Sequence, residues 1–118
     1  MRLTIDATST VPPFEQVRSG VLAAVVSGEL VSGSRLPTVR ALAEQLGIAV
    51  NTVARSYREL EGDGIIETRG RSGSFVRASG DDIQKRAQDA ARAYVESIHL
   101  LGMDRADALA IVAAALRT

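Results

Sequence analysis

The sequence contains no cysteine and no tryptophan, and His99 is its single histidine. Without cysteine there can be no disulfide, no thiolate nucleophile and no zinc finger of the cysteine type. The sequence also lacks a nucleophile elbow and a phosphate-binding glycine loop. His99 lies near the expected end of a helix, where an imidazole interacts more readily with the helix dipole than with a metal. We therefore predict that the protein is not an enzyme and holds neither a metal nor a cofactor.

Long apolar runs are also missing from the sequence. Neither the first ten residues nor any later segment has the apolar length of a signal peptide or a membrane span. We therefore predict a cytoplasmic protein without membrane association. Basic and acidic residues balance at 14 each, which counts against a protein that coats nucleic acid without specificity. A length of 118 residues leaves room for one domain and an appendage.

The sequence does contain two short amphipathic patterns in succession, and the first begins after Pro37. Thr38 is the expected N-cap of this first helix, and Gly47 is expected to end it. Its apolar positions follow a spacing of i, i+3, i+4 and i+7: Val39, Leu42, Ala43 and Leu46. The pattern predicts a short helix with one buried face.

The second pattern predicts a helix with a polar exposed face. Its apolar positions are Val50, Val53, Ala54, Tyr57 and Leu60, which assigns Tyr57 to the core. The opposite face carries polar side chains that can reach base edges and phosphates at close approach: Asn51, Thr52, Arg55, Ser56 and Glu59. The start of the helix stays open, because Ala49 is a poor cap and Asn51 is an alternative one.

A change of period after Gly64 predicts a hairpin. Residues 65–69 and 74–77 are typical of two strands, and the sequence GRSG between them (70–73) is typical of a tight turn. Arg69 and Arg71 flank a bare backbone there, so the turn can lie against the sugar-phosphate chain or enter the minor groove. Helix, turn, helix and basic hairpin in this order predict a winged helix-turn-helix that binds DNA.

The segment before these patterns predicts a further helix. A proline pair at residues 12–13 suits the first turn. The helix is expected to run to about Ser27, with an apolar face of Phe14, Val17, Val21, Ala24 and Val25. In residues 1–11 apolar and polar residues alternate, which predicts a short edge strand.

Two other interpretations of the same residues remain open. Each helical arginine has an acid three or four residues away, so it could sit in a solvated surface ion pair: Arg40 with Glu44, Arg55 with Glu59, and Arg58 with Glu61. A winged helix can also serve as a protein–protein docking module without any DNA role. The polar, short-chained face of the second helix and the arginines of the wing favour DNA binding, because a docking face more often exposes large apolar or aromatic residues.

The chain resembles the GntR family of bacterial transcription regulators, and most closely its short YtrA-like subfamily. The matching elements are PPFEQVR, SGELVSGSRLPTVRALAEQLGIAVNTVARSYRELEGDGIIETRGRSGSFV and a short helical tail. The resemblance implies a homodimer that binds double-stranded operator DNA and usually represses nearby genes. It also implies DNA contacts by Arg40, by Asn51 and Thr52, and by the wing tip at 70–73. Some branches of the family have arginine where this chain has Val50 and Ala54, so those two base contacts are not transferred.

Residues 80–118 predict two helices with an unpaired apolar face. Gly102 is expected to end the first helix, and Asp104 is expected to cap the second. Two helices of this length cannot bury both apolar faces alone, so a second subunit is the expected cover. The alternative is that they pack on the winged domain of the same chain. The predicted dimer interface consists of Ile83, Ala87, Ala90, Tyr94, Ile98, Leu101, Leu109, Ala113 and Leu116.

The predicted fold class is therefore mainly α with a small β wing. Residues 1–79 are expected to form an N-terminal winged helix-turn-helix domain, and residues 80–118 a two-helix C-terminal dimerisation tail. A ligand pocket usually needs ~300–1,000 Å³, which this tail cannot enclose alone, so a small-molecule effector stays unknown. The full set of residues predicted to contact operator DNA is Thr38, Arg40, Asn51, Thr52, Arg55, Ser56, Arg69, Gly70, Arg71 and Gly73.

Overall fold

A computed structural model of the chain describes residues 1–117, which are mainly helical with one small antiparallel sheet. The chain divides into two compact units, which we call the head unit (residues 1–83) and the tail unit (from residue 84 onward). The elements in chain order are α1 (Pro13–Val26), α2 (Val39–Leu46), α3 (Val50–Gly62), β1 (Ile66–Thr68), β2 (Ser74–Val76), α4 (Gly80–Leu100) and α5 (Arg105–Leu116). The predicted fold class is confirmed.

Helix α1 forms as predicted from the proline pair. It begins at Pro13, where the missing N–H of proline leaves no hydrogen bond unmade. Its buried residues all belong to the predicted apolar face: Val17, Val21, Ala24 and Val25. On its other side the amide of Gln16 holds the preceding segment, donating to the carbonyl oxygens of Asp6 and Val11 at 3.0 and 2.9 Å. The N–H of Asp6 donates back to Gln16 Oε1 at 2.8 Å.

The helix-turn-helix matches the prediction except at the start of its second helix. Thr38 caps α2, because its Oγ1 accepts a hydrogen bond from the N–H of Ala41 at 3.0 Å. Gly47, at φ 67°, ends α2 in the left-handed region. Helix α3 follows Ala49, an N-cap without a side-chain hydrogen bond. Asn51 lies inside the first turn of α3, so the alternative in which Asn51 caps the helix is wrong.

The hydrophobic core of the described residues lies within the head unit, where α1, α2, α3 and the hairpin meet. Its buried members are Val17, Val21, Val25, Leu36, Leu42, Ala43, Val53, Tyr57, Leu60, Ile65, Ile66, Val76 and Ala78. Tyr57 is a core residue, as predicted. Its Oη donates to the carbonyl oxygen of Pro37 at 2.8 Å, and burial raises the pKa of Tyr57 to about 12.

Strands β1 and β2 form an antiparallel hairpin in which Ile66 faces Val76 and Thr68 faces Ser74. The connector before α2 covers the other edge of β2: residues 33–36 make three backbone hydrogen bonds of 2.8 Å with Ser74 and Val76. The edge strand predicted in residues 1–11 is wrong, because no strand forms there and the connector already occupies the free edge of β2. The apolar residues of that segment pack against the core instead: Met1, Leu3 and Ile5.

Helix α4 starts inside the head unit. Ser79 and Asp82 cap its first turn reciprocally. The N–H of Ser79 donates to Asp82 Oδ2 at 2.9 Å, and the N–H of Asp82 donates to Ser79 Oγ at 3.1 Å. Gly80 lies so close to the end of α1 that a Cβ there would stand 2.9 Å from the carbonyl oxygen of Val26. Ile83 packs, partly buried, against the core. The first turn of α4 is thus part of the head unit.

The tail unit contains the rest of α4 and the whole of α5. The predicted cap of α5 is confirmed, because Asp104 Oδ1 accepts a hydrogen bond from the N–H of Asp107 at 2.9 Å. One hydrogen bond joins the two helices, from Tyr94 Oη to the carbonyl oxygen of Ala108 at 2.8 Å. No described residue of α4 or α5 is buried. The tail unit therefore has no core of its own.

Candidate nucleic-acid interface

Helix α3 has one buried and one exposed face. Its buried residues are Val53, Ser56, Tyr57 and Leu60. On the opposite side Asn51, Arg55 and Arg58 are exposed, and Thr52 is half-buried. Amide, hydroxyl and guanidinium groups can donate hydrogen bonds to base edges and phosphates. This face is therefore the candidate reading surface, and it includes Arg58, which the sequence analysis had assigned only to an ion pair.

Ser56 is not part of the exposed face, so its predicted role in DNA binding is wrong. Its side chain is fully buried, and its hydroxyl donates to the carbonyl oxygen of Phe14 in the first turn of α1. The helical pattern could not reveal this, because a small polar residue at the margin of an apolar stripe suits either side. The partner of Ser56 lies 42 residues away in the chain. Ser56 is the polar link between α1 and α3.

Arg55 stacks on an aromatic ring and does not pair with an acid. Its guanidinium carbon lies 3.6 Å from the centroid of the Phe14 ring. Within residues 1–117 none of the ion pairs suggested for the helical arginines exists: Arg40 with Glu44, Arg55 with Glu59, or Arg58 with Glu61. The interpretation in which these arginines form surface ion pairs is therefore wrong. Sequence analysis missed the role of Phe14, since it placed this ring on an apolar face.

The first turn of α2 adds a basic and a polar side chain to the same surface. Thr38 and Arg40 are both exposed. The oxygen of the Thr38 hydroxyl accepts the capping hydrogen bond from Ala41. The hydroxyl proton remains available for donation, because a threonine hydroxyl both accepts and donates. Thr38 can therefore cap α2 and donate to a phosphate at once.

The wing tip is a short 3₁₀ turn at Gly70–Ser72. The N–H of Arg69 donates to the carbonyl oxygen of Gly73 at 2.8 Å and closes the turn. Arg69 is engaged twice more: its guanidinium stacks on Phe75 at 4.3 Å and pairs with Glu67 at 2.7 Å. Arg71 is exposed and forms no ion pair within the described chain. Of the two predicted wing arginines, Arg69 is thus engaged within the protein, whereas Arg71 is available to bind a phosphate.

Arg35 is a basic residue at the wing that sequence analysis missed. It bridges to Phe75 in an antiparallel pair and is exposed. A Cβ on Gly73 would lie 3.3 Å from Arg35 Nε, so the guanidinium rests on the bare backbone of the turn. Gly73 also has φ 108°, which side chains rarely adopt. Only glycine lets the turn and Arg35 approach each other in this way.

The side of the head unit formed by α1 and the end of α3 is acidic. A shallow groove there is lined by Glu15, Arg18, Glu59, Gly62 and Asp63. Arg18 donates to both carboxylate oxygens of Glu15, and these hydrogen bonds lower the pKa of Glu15 and raise the pKa of Arg18. Carboxylates outnumber guanidinium groups in this groove, so it disfavours phosphate. The arginines of α2, α3 and the wing lie outside it.

Residues 1–117 contain no group of three or more histidine or carboxylate side chains that could hold a metal ion. No helix in the same range is both long and apolar enough to cross a bilayer. The candidate surfaces are therefore the basic face of the head unit and the apolar faces of the tail unit.

The residues predicted for a dimer interface fall into three groups. Ile83 packs, partly buried, against the core of the head unit, so only part of its side chain is left for an interface. Tyr94 and Ile98 are half-buried. The other six are exposed: Ala87, Ala90, Leu101, Leu109, Ala113 and Leu116. Sequence analysis missed three large apolar residues that are exposed beside them, namely Val95, Leu100 and Ile111.

Comparisons with known proteins agree with this geometry. Residues 13–76, more than half of the chain, match the family described as bacterial regulatory proteins, gntR family. The chain is similar to the HTH-type transcriptional regulator Rv1152 of Mycobacterium tuberculosis, with 47% identity over 107 residues, 91% of this chain and 88% of that protein. It is also similar to the HTH-type transcriptional repressor YtrA of Bacillus subtilis, with 36% identity over 63% of this chain and 57% of that protein.

One solved structure extends the likeness to the fold. It is YtrA from Sulfolobus acidocaldarius, described as a GntR-family transcription factor. The TM-score is 0.60 and the identity 29%, over 75% of this chain and 95% of that one. The resemblance drawn from the sequence is confirmed.

Proposed function

Because the chain belongs to the gntR family of bacterial regulatory proteins, we propose that it is a repressor that binds an inverted-repeat operator as a homodimer in the cytoplasm. That the chain is a DNA-binding transcriptional regulator follows from the family itself. The repression, the dimer, the symmetry of the operator and the cellular location are the proposed parts. The observation that carries the proposal is the exposed face of α3 beside an arginine-rich wing.

Residues of the first turns of α3 read base edges in this proposal. The recognition helix of such motifs contacts bases mainly through its N-terminal residues. Asn51 is exposed there and its side chain makes no hydrogen bond within the described chain, so its amide is available to an adenine. Thr52 is next to it, and Arg55 follows one turn later. Arg58 and Arg40 are exposed and bind phosphates in this proposal.

The wing binds the sugar-phosphate chain in this proposal. Arg71 at the tip and Arg35 beside Gly73 carry most of the interaction, because neither forms an ion pair in the described chain. Arg69 contributes less, since Glu67 already neutralises it. The glycines at positions 70 and 73 allow the backbone to come close to the DNA.

The tail unit forms the dimer interface in this proposal. Between Val95 and Leu116 six large apolar side chains are 47–86% exposed: Val95, Leu100, Leu101, Leu109, Ile111 and Leu116. Exposed apolar surface of this extent marks an interaction site in soluble proteins. A homodimer with twofold symmetry covers the same patch on both copies at once. Such a dimer places two reading helices on half-sites about one helical turn apart, ~34–36 Å.

Selection of bound fragments from random duplex DNA by the purified protein tests the proposal. Enrichment of one inverted repeat is expected. Enrichment of a single unrepeated site would remove the dimer from the proposal, and no enrichment would favour a protein-docking role. A reporter gene placed behind the selected site then decides the direction of control: repression requires expression to fall when the protein is supplied.

Two matched variants then test the contacts on the selected operator. Arg40→Ala is expected to weaken binding by ~1–3 kcal/mol if a base contact is lost, or uniformly over all sequences if a phosphate contact is lost. Lys85→Ala removes one positive charge from the exposed start of α4, outside the proposed surface. It is expected to bind like the parent. Equal losses in the two variants would mean that only net charge matters.

A further inference from the structure

Phe14 of α1 contacts two neighbouring residues of α3, Arg55 and Ser56. The Phe14 ring carries the guanidinium of Arg55 at 3.6 Å, and the Phe14 carbonyl oxygen accepts the hydrogen bond of Ser56. The two contacts differ in chemistry: one uses the backbone of Phe14, the other its side chain. A variant of the ring can therefore disturb the arginine while the link between α1 and α3 stays in place.

The stack leaves Arg55 able to bind DNA. A guanidinium stacks through its flat face, and its N–H donors all lie in the plane at its edge. Arg55 is exposed and makes no ion pair in residues 1–117, so those donors have no protein acceptor. A side chain of this length normally loses much rotamer freedom when it binds. The stack on Phe14 already restricts the rotamers of Arg55 in the free protein, so Arg55 loses less conformational entropy when it binds.

A second arginine of the head unit provides the contrast. Arg69 also stacks on an aromatic ring, that of Phe75, at 4.3 Å. Its edge, however, is already engaged: Nε donates to Glu67 Oε1 at 2.9 Å, and a terminal nitrogen lies 2.7 Å from the same oxygen in an ion pair. The same kind of stack thus accompanies one arginine with a free edge and one with an occupied edge.

We propose that Phe14 is a positioning residue for DNA recognition, which holds Arg55 so that its edge meets a pair of hydrogen-bond acceptors on the operator. The proposal rests on the proposed function, since it requires α3 to face DNA. The acceptors are either the O6 and N7 atoms of a guanine or two oxygens of a phosphate, because both match the guanidinium edge. Phe14 does not itself touch DNA in this proposal.

A double-mutant cycle on the selected operator tests the coupling. Phe14→Leu is expected to weaken binding about 2–5-fold, the range for a cation–π contact at an exposed site. Arg55→Ala is expected to weaken binding more. Phe14→Leu in the Arg55→Ala background is expected to cause no further loss, because there is no arginine left to position. Phe14→Tyr keeps an aromatic face and is expected to bind like the parent.

The matched control is the other stack. Phe75→Leu combined with Arg55→Ala is expected to give the product of the two single losses, because Phe75 supports Arg69 and not Arg55. Thermal unfolding of each variant is measured in parallel, so that a loss of binding is compared only among folded proteins. If Phe14→Leu does not fold, Phe14→Met replaces it, because methionine also lacks an aromatic face.

Fluorescence gives a readout that a merely structural role would not change. The chain has no tryptophan, so Phe14→Trp introduces a single reporter at the stack. Arg55→Ala in that background is expected to shift the emission of the indole, whereas Arg58→Ala, one turn away on the same face, is not. An emission that responds equally to both would overturn the contact between the ring and Arg55.

Binding of Arg55→Ala to different operator sequences distinguishes a guanine from a phosphate acceptor. Either result supports the positioning role of Phe14. If Arg55 meets a guanine, the loss in Arg55→Ala is confined to operators that keep that base pair. If it meets a phosphate, the loss is the same for all sequences and the salt dependence falls by about one charge. The inference is overturned if the losses of Phe14→Leu and Arg55→Ala multiply, or if Arg55→Ala binds like the parent. The Arg40→Ala variant decides the proposed function separately in either case.

Discussion

The head unit and the tail unit use apolar residues in opposite ways. The head unit has a buried apolar core, in which Val17, Val21, Val53 and Leu60 are all 0% exposed. The tail unit buries none of its described residues, and Leu100 and Leu116 are 86% and 80% exposed. The head unit therefore contains the contacts that fold it, whereas the large apolar side chains of the tail unit are exposed. The proposed dimer would separate folding and assembly along the chain.

The largest expected effect comes from charging the tail unit. Leu109→Asp places a carboxylate on the exposed apolar face, and desolvating it at an interface is unfavourable. We expect the dimer to dissociate and operator affinity to fall about 10²–10⁴-fold, since the second head no longer binds intramolecularly. Sedimentation and a binding titration measure both effects. Gln88→Asp, on an exposed polar position of α4, is the control. A dimer that persists in Leu109→Asp would contradict the assignment of the tail unit to the dimer interface.

A cavity in the head unit is expected to have the next largest effect. Leu60 is fully buried, so Leu60→Ala is expected to lower the free energy of unfolding by about 2–5 kcal/mol. Leu116→Ala removes the same atoms from a leucine that is 80% exposed, and at concentrations where the protein is monomeric it should change that free energy by no more than about 0.5 kcal/mol. Urea denaturation followed by circular dichroism compares the two. Similar losses would contradict the contrast between the units.

Removing the polar link between α1 and α3 is expected to have a moderate effect. Ser56→Ala deletes the hydroxyl that donates to the Phe14 carbonyl oxygen, which should cost about 0.5–1.5 kcal/mol in free energy of unfolding. The salt dependence of operator binding should not change, because Ser56 is buried and contacts no phosphate. Ser72→Ala removes an exposed hydroxyl from the wing and should leave stability unchanged. A lower salt dependence of operator binding in Ser56→Ala would mean that Ser56 does contact DNA.

The smallest expected effect is a dependence on acid pH in the head unit. Hydrogen bonds from Arg18 lower the pKa of Glu15 below its ordinary value of 4.5. The pair therefore stabilises the fold above about pH 4.5, and this contribution is lost as the pH falls through the lowered pKa of the folded state. Glu15→Gln is expected to flatten the loss of stability in that acid range, by less than about 1 kcal/mol because the pair is part-exposed. Arg18→Gln should flatten it similarly; an unchanged acid profile in both would rule out this contribution.

Local pattern was enough to predict the helices of the head unit and the residue that caps α2. Their signals lie within one or two turns of each other: the spacing of Val39, Leu42 and Leu46, or the distance from Thr38 to Ala41. The assignment of Tyr57 to the core followed from the same spacing. Local pattern could not decide the fate of Ser56, because the acceptor of its hydroxyl belongs to another helix.

The errors share one physical cause, contact between segments far apart in sequence. The stack of Arg55 on Phe14 and the approach of Arg35 to Gly73 both join distant residues, and no periodicity encodes them. The edge strand expected in residues 1–11 failed because residues 33–36 occupy the edge of β2. The dimer interface remains a prediction, since it concerns a second copy of the chain.

Because the core is confined to the head unit, the ribosome makes all of its residues before it makes the tail unit. The amino-terminal part of a chain leaves the ribosome first, at ~5–20 residues per second. Residues from 84 onward then take about 2–7 s more to be made, longer than many small domains need to fold. Every residue of the core has been synthesised before residue 84 is added. All the contacts that build the DNA-binding fold therefore lie in the part of the chain that is made first, and the exposed apolar helices follow it.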